Sequence, residues 1–155
     1  MILYFAYGSN LHKRAMLRRC PKARPYLAAT LIGYRLEFQG YANVVADDAA
    51  VVNGALYQVT PACLRALDAY EDAPRLYMRK DVTVDTADGP KACFTYVMTA
   101  RSPTAPGAAA APEDAYYGEI ARGYNDWKLD PAVLRKARAT EPKPKRRIPA
   151  PAERE

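Results

Sequence analysis

The chain opens on an apolar and aromatic run, Ile2 to Tyr7, followed at once by Gly8, Ser9 and Asn10. A run without polar alternation is the pattern of a strand buried on both faces, and a glycine behind it permits a tight turn and close approach by a ligand. Ser9 and Asn10 then bring capping oxygens and backbone N–H groups, so this stretch outlines either a small anion-binding nest or an ordinary strand-to-helix turn. Leu11 to about Arg19 reads as a short helix that Pro21 stops, with Leu11, Ala15 and Met16 turned inward.

Alternation resumes from Leu31 to Phe38, where Tyr34, Leu36 and Phe38 share one strand face and Gly40 ends the run. Two further strands are predicted, Ala42 to Val45, bounded by Asp47-Asp48, and Val51 to Val59, where Gly54 marks a bulge or a close backbone contact. Thr60-Pro61 is a strong helix start for a helix reaching about Glu71, with Pro74 beyond it. Tyr77 to Asp85 and Ala92 to Met98 form an antiparallel pair across the Asp88-Gly89 turn. A Pro/Ala-rich connector, 102–112, leads to helices from about Glu113 to Tyr124 and from Pro131 to Ala139. Six or so strands with interspersed helices indicate a mixed α/β (α+β) domain over residues 1–140, built on a curled sheet or small barrel. No repeated strand-helix units, GxGxxG loop or Walker loop support a doubly wound fold.

Half of the 155 residues are hydrophobic, enough for one domain with a real core. The net charge of +6 invites a nucleic-acid reading, but its distribution argues otherwise. Residues 128–155 hold nine Lys and Arg against four Asp and Glu, so the body of the chain is nearly neutral. The segment 141–155 is rich in proline and charge and reads as a solvated tail, and nucleic-acid binding is not expected. Lys13, Arg14, Arg18, Arg19, Lys22 and Arg24 form a second basic cluster, expected to lie mostly on the solvated outer face of the first helix. No apolar run is long enough to span a bilayer and no secretory leader is recognisable, which predicts a soluble, cytoplasmic protein. Cys20, Cys63 and Cys93 are odd in number and widely spaced, against both a disulfide framework and a zinc site. The sequence leaves a homodimer open.

The candidate chemistry begins at Glu71. Leu64, Leu67 and Glu71 are spaced three and four apart on the helix from Pro61, so the carboxylate shares a face that looks into the core or a pocket. Desolvation and the negative end of the helix dipole both raise its pKa toward that of a useful acid and base. Pairing with a buried Arg or Lys, or exposure to solvent by fraying of the helix end, is the structural alternative. Asp68 competes for the role but equally suits orienting the following strand. His12 is read as a surface residue, having no second histidine to complete a metal site. Ser9 lacks a GxSxG elbow, leaving its backbone N–H as its contribution. Tyr7, Tyr41, Tyr116 and Tyr117 are candidates to line a polar pocket or to pack in the core.

Together these motifs resemble the γ-glutamylcyclotransferase family, including its AIG2-like members, from Leu3 to about Tyr124. The resemblance is carried by Tyr7-Gly8-Ser9-Asn10-Leu11, Met16 with Arg19-Cys20-Pro21 and Ala23, Leu31, Gly33-Tyr34-Arg35-Leu36 and Phe38. It continues through Ala42-Asn43-Val44, Val52, Gly54-Ala55-Leu56-Tyr57, Leu67-Asp68-Ala69-Tyr70-Glu71 and Tyr77. It implies a small β-barrel with flanking helices, a γ-glutamyl moiety bound by main-chain groups of Tyr7, Gly8, Ser9, Asn10 and Leu11, and Glu71 as the catalytic glutamate. Tyr116 matches a tyrosine near the substrate in the family's late helix. The implied reaction releases 5-oxoproline by attack of the substrate's own α-amine, with no metal or cofactor; a binding module without turnover is the alternative. Asp72, where a glycine often follows the glutamate, and Tyr26-Leu27, where many members have glycine, depart from the pattern.

Overall fold

The computed structural model describes residues 1–99 and 111–139. Most of the connector at 102–112 and all of the tail at 141–155 therefore lie outside the described residues. Five strands close into a barrel in the order β1-β3-β2-β4-β5: β1 Ile2–Ala6, β2 Arg24–Gln39, β3 Tyr41–Val59, β4 Tyr77–Thr86 and β5 Gly89–Met98. Neighbours are antiparallel except at the closing joint, where β1 runs parallel to β5 with Tyr4 opposite Phe94. The helices α1 Lys13–Arg19, α2 Pro61–Glu71, α3 Asp114–Asp126 and α4 Ala132–Ala139 flank it.

Strand β1 is buried from Leu3 through Ala6, as its unalternating composition requires. Gly54 is the place where β3 meets it most closely. A Cβ there would lie 2.3 Å from the Ala6 carbonyl oxygen and 2.6 Å from the Phe5 ring, so the position accepts only glycine.

The two strands expected at Ala42–Val45 and Val51–Val59 are one continuous β3. Asp47-Asp48 does not end it; the register against β2 shifts between Ile32 and Tyr34, opposite this stretch. Gly33 adopts φ +88° at the shift, and the Asp47 carboxylate accepts the Ala49 N–H at 3.0 Å, so the chain bulges and resumes pairing. The far arm of this hairpin, turning at Gly40 with φ +76°, carries Ala42 to the site.

The segment after Gly8 is likewise not a single helix. Ser9–Leu11 form a 3-10 turn, His12 is extended, and α1 starts at Lys13. Carbonyls that would continue a helix are taken by distant side chains: the Tyr57 hydroxyl donates to the Asn10 carbonyl at 2.8 Å, and Trp127 Nε1 donates to that of Leu11 at 2.9 Å. Asp126 on α3 accepts the Lys13 N–H at 2.9 Å, capping the new helix from outside. The three cysteines are unpaired and buried.

Candidate active site

Helix α2 begins where the Thr60-Pro61 pair dictates, the Thr60 hydroxyl accepting the Cys63 N–H at 3.2 Å. Asp72 ends it in the left-handed conformation, φ 54°, returning its N–H to the Ala69 carbonyl. These two signals fix the length of the helix and so the direction of its last residue, Glu71. With Leu67 completely buried one turn earlier, the Glu71 side chain enters a narrow cleft lined also by Tyr4, Tyr7, Gly8, Ser9, Asn10, Ala42, Tyr77, Tyr96 and Tyr116. Counted out to its open mouth, the cleft holds about 300 Å³.

Desolvation raises the Glu71 carboxyl to a pKa of about 7, against the opposing pull of the Arg19 guanidinium. A carboxyl poised there exchanges a proton in either direction near neutral pH. Asp68, three residues earlier, behaves oppositely. Hydrogen bonds from Arg79 hold its pKa below the ordinary value, assisted by the Tyr96 hydroxyl at 2.5 Å. Asp68 thus ties α2 to β4 and β5.

The turn after β1 brings Tyr7, Gly8, Ser9 and Asn10 to the wall facing Glu71. Leu11 itself stands apart from that wall. Its side chain is fully buried, its N–H is spent on the Gly8 carbonyl at 3.0 Å, and it does not line the cleft. It packs instead against α3, where Gly123 leaves room: a Cβ there would stand 2.4 Å from that of Leu11. The Ser9 hydroxyl bonds to that of Tyr70 at 2.8 Å.

Tyr116 reaches the cleft from α3 and its hydroxyl accepts the Ala42 N–H at 3.0 Å. Tyr41 is exposed and sets its ring edge-on to that of Tyr116, whereas Tyr117 packs on Phe38 away from the site. The Tyr7 hydroxyl donates to the Tyr96 carbonyl at 2.6 Å, and that of Tyr77 to the Ala42 carbonyl at 2.7 Å. Burial raises the pKa of Tyr4, Tyr7, Tyr77 and Tyr116, so all four are neutral phenols.

Arg19 departs from the solvated face expected for most of its cluster. Expected on a solvated face, it lies across the Tyr70 ring at 3.8 Å, donates to Asn10 Oδ1 at 2.6 Å and pairs with Glu119 on α3 at 3.3 Å. Its place at the end of α1, beside the buried Cys20, was the available signal. Arg14, Arg18, Lys22 and Arg24 do face solvent. His12 is half-buried rather than on the surface, and its Nδ1 has no partner among the described residues. Among those residues no group of His, Cys, Asp and Glu is placed to hold a metal, and no helix is long and apolar enough to cross a membrane.

A family model described as gamma-glutamyl cyclotransferase, AIG2-like, matches residues 4–128. A Bos taurus protein named gamma-glutamylcyclotransferase is 32% identical over 111 residues, covering 63% of this chain and 59% of that protein, so the chain spans less than two thirds of that relative. A Homo sapiens protein of the same name is 28% identical over 154 residues, covering 90% of this chain and 79% of that one. A solved structure described as a gamma-glutamyl cyclotransferase superimposes with a TM-score of 0.77 at 27% identity, over 92% of this chain and 89% of that one.

Proposed function

The chain belongs to the gamma-glutamyl cyclotransferase, AIG2-like family, and from that premise we propose that it releases 5-oxoproline and a free amino acid or amine from a γ-glutamyl substrate. The observation that carries this reading is the Glu71 carboxyl, with its pKa near 7, facing the Tyr7–Asn10 turn across a tyrosine-lined cleft.

In a γ-glutamyl amide the α-amine must shed a proton, attack the γ-carbonyl carbon to close a five-membered ring, and expel an amine that needs a proton. One carboxyl group does both. Glu71 accepts the proton as the C–N bond forms and delivers it to the departing nitrogen as the amide bond breaks. The N–H groups of Gly8, Ser9 and Asn10 bind the substrate's α-carboxylate, and the narrow cleft selects the folded conformer from which ring closure proceeds. Every atom of the product comes from the substrate, and the scheme calls on no cofactor.

Incubation with a panel of γ-glutamyl compounds, including γ-glutamyl-alanine, should release 5-oxoproline. Glu71→Gln should abolish the release while keeping the fold. Full activity in that variant would sink the mechanism. Binding of 5-oxoproline with no turnover of any panel member would replace the enzyme reading with a binding module.

A further inference from the structure

Donor and acceptor chemistry fixes the polarity of the cleft wall, starting from Arg19. A guanidinium only donates, so the Asn10 atom it meets at 2.6 Å is the amide oxygen. The amide nitrogen of Asn10 must then face the other way, where Nδ2 donates to the Tyr4 hydroxyl oxygen at 3.0 Å. Tyr4 is thereby an acceptor toward Asn10, and its own proton has to go elsewhere. Tyr4 lines the cleft that holds Glu71, and among the described residues no group accepts that proton. Tyr7 and Tyr77 stand in the opposite state, their protons already given to the carbonyls of Tyr96 and Ala42.

We propose that Tyr4 is a catalytic hydrogen-bond donor to the γ-carbonyl oxygen of the substrate, with Arg19 and Asn10 as positioning residues that keep its O–H turned into the cleft. The inference rests on the cyclotransferase reading above. As the α-amine adds to the γ-carbonyl carbon, the carbonyl π electrons move onto oxygen, and that oxygen gains negative charge until the amide C–N bond breaks and the carbonyl re-forms. A donor held at that point strengthens its bond only as the charge develops, so it lowers the barrier more than it tightens binding. Arg19 polarises the chain from its far end. Because Tyr4 is buried and neutral, it donates without losing its proton.

Tyr4→Phe removes one oxygen and should lower kcat about 100-fold while KM changes by less than about threefold. Asn10→Asp is the sharper test. A carboxylate has no N–H to give, so Tyr4 would donate to it and withdraw its proton from the cleft, while the pairing with Arg19 is kept. A comparable loss of kcat is expected, and the double variant should fall no further than Asn10→Asp alone. Full kcat in Tyr4→Phe, a change confined to KM, or multiplying losses in the double variant would overturn the assignment; should Asn10→Asp fail to fold by thermal melting, Tyr4→Phe decides alone. Calorimetric titration with 5-oxoproline, whose ring carbonyl oxygen is the former γ-carbonyl oxygen, supplies a readout free of turnover. Tyr4→Phe should weaken it by less than about threefold, as with KM, and a tenfold loss would make Tyr4 a ground-state binding group and overturn the assignment. Wild-type protein that releases no 5-oxoproline from any substrate removes the enzyme reading itself, whereas full kcat in Tyr4→Phe of an active enzyme overturns this assignment alone.

Discussion

Asp68 and Glu71 sit three residues apart on one helix and are driven to opposite protonation behaviour by what surrounds them. Asp68 is held anionic by Arg79 and Tyr96, while Glu71 is pushed up to about 7 by burial in the cleft. Two carboxylates three positions apart thus divide into a structural anchor and a carboxyl whose pKa suits the proton exchange proposed for it.

The rate should show that division. With Glu71 acting as base from its ionised form, kcat/KM should rise with pH through about 7 and fall about tenfold per unit well below it. Asp68→Asn should leave this limb in place while lowering the melting temperature, since the Tyr96 and Arg79 donors lose a charged acceptor worth ~1–2 kcal/mol. Arg19→Gln removes the charge that opposes the effect of burial, so the limb should move to higher pH. A pH–rate series on the three proteins, with a melting curve for Asp68→Asn, checks these outcomes.

Stability should carry the same signature with a defined sign. Glu71 binds its proton more tightly folded, near 7, than unfolded, near its ordinary value of 4.5. Its contribution is therefore fully present below the unfolded value, declines as pH rises between the two, and is lost above about 7. The shift corresponds to ~3 kcal/mol at most. Glu71→Gln, neutral at every pH, should melt higher than wild type at pH 8, with the difference shrinking toward pH 4. Melting curves across that range test it.

Gly123→Ala should damage both fold and site. The new Cβ would meet the Leu11 Cβ at 2.4 Å and the His12 backbone nitrogen at 2.7 Å, forcing α3 off the turn that carries Ser9 and Asn10. A loss of ~1–3 kcal/mol is expected. Gly118→Ala, on the same helix with open space around it, should be neutral or gain ~0.5–1 kcal/mol. Paired melts and 5-oxoproline assays of the two variants provide the comparison.

Tyr116→Phe should destabilise the hairpin arm as well as alter the cleft. Its hydroxyl oxygen is the acceptor for the Ala42 N–H, and the other side of Ala42, its carbonyl, is held by Tyr77. Leaving that N–H unpaired should cost ~1–3 kcal/mol, visible as a lower melting temperature and faster amide exchange at Ala42.

Much of the fold was legible because burial is written locally as periodicity. The Thr60 cap, the end of α2 at Glu71, the buried β1 and the β4–β5 hairpin all follow from residues within one or two turns of each other. The same locality put Glu71 on the inward face of its helix. What the sequence left undetermined depends on partners far along the chain. Whether Asp47-Asp48 ends a strand or bulges out of one depends on its register against Gly33. Whether the turn at Ser9 continues as a helix depends on Tyr57 and Trp127 claiming its carbonyls, and whether Arg19 faces water depends on Asn10, Tyr70 and Glu119 receiving it. The direction of each tyrosine proton is decided last of all, since a hydroxyl gives or accepts according to the group it meets, and only the assembled barrel brings those groups together.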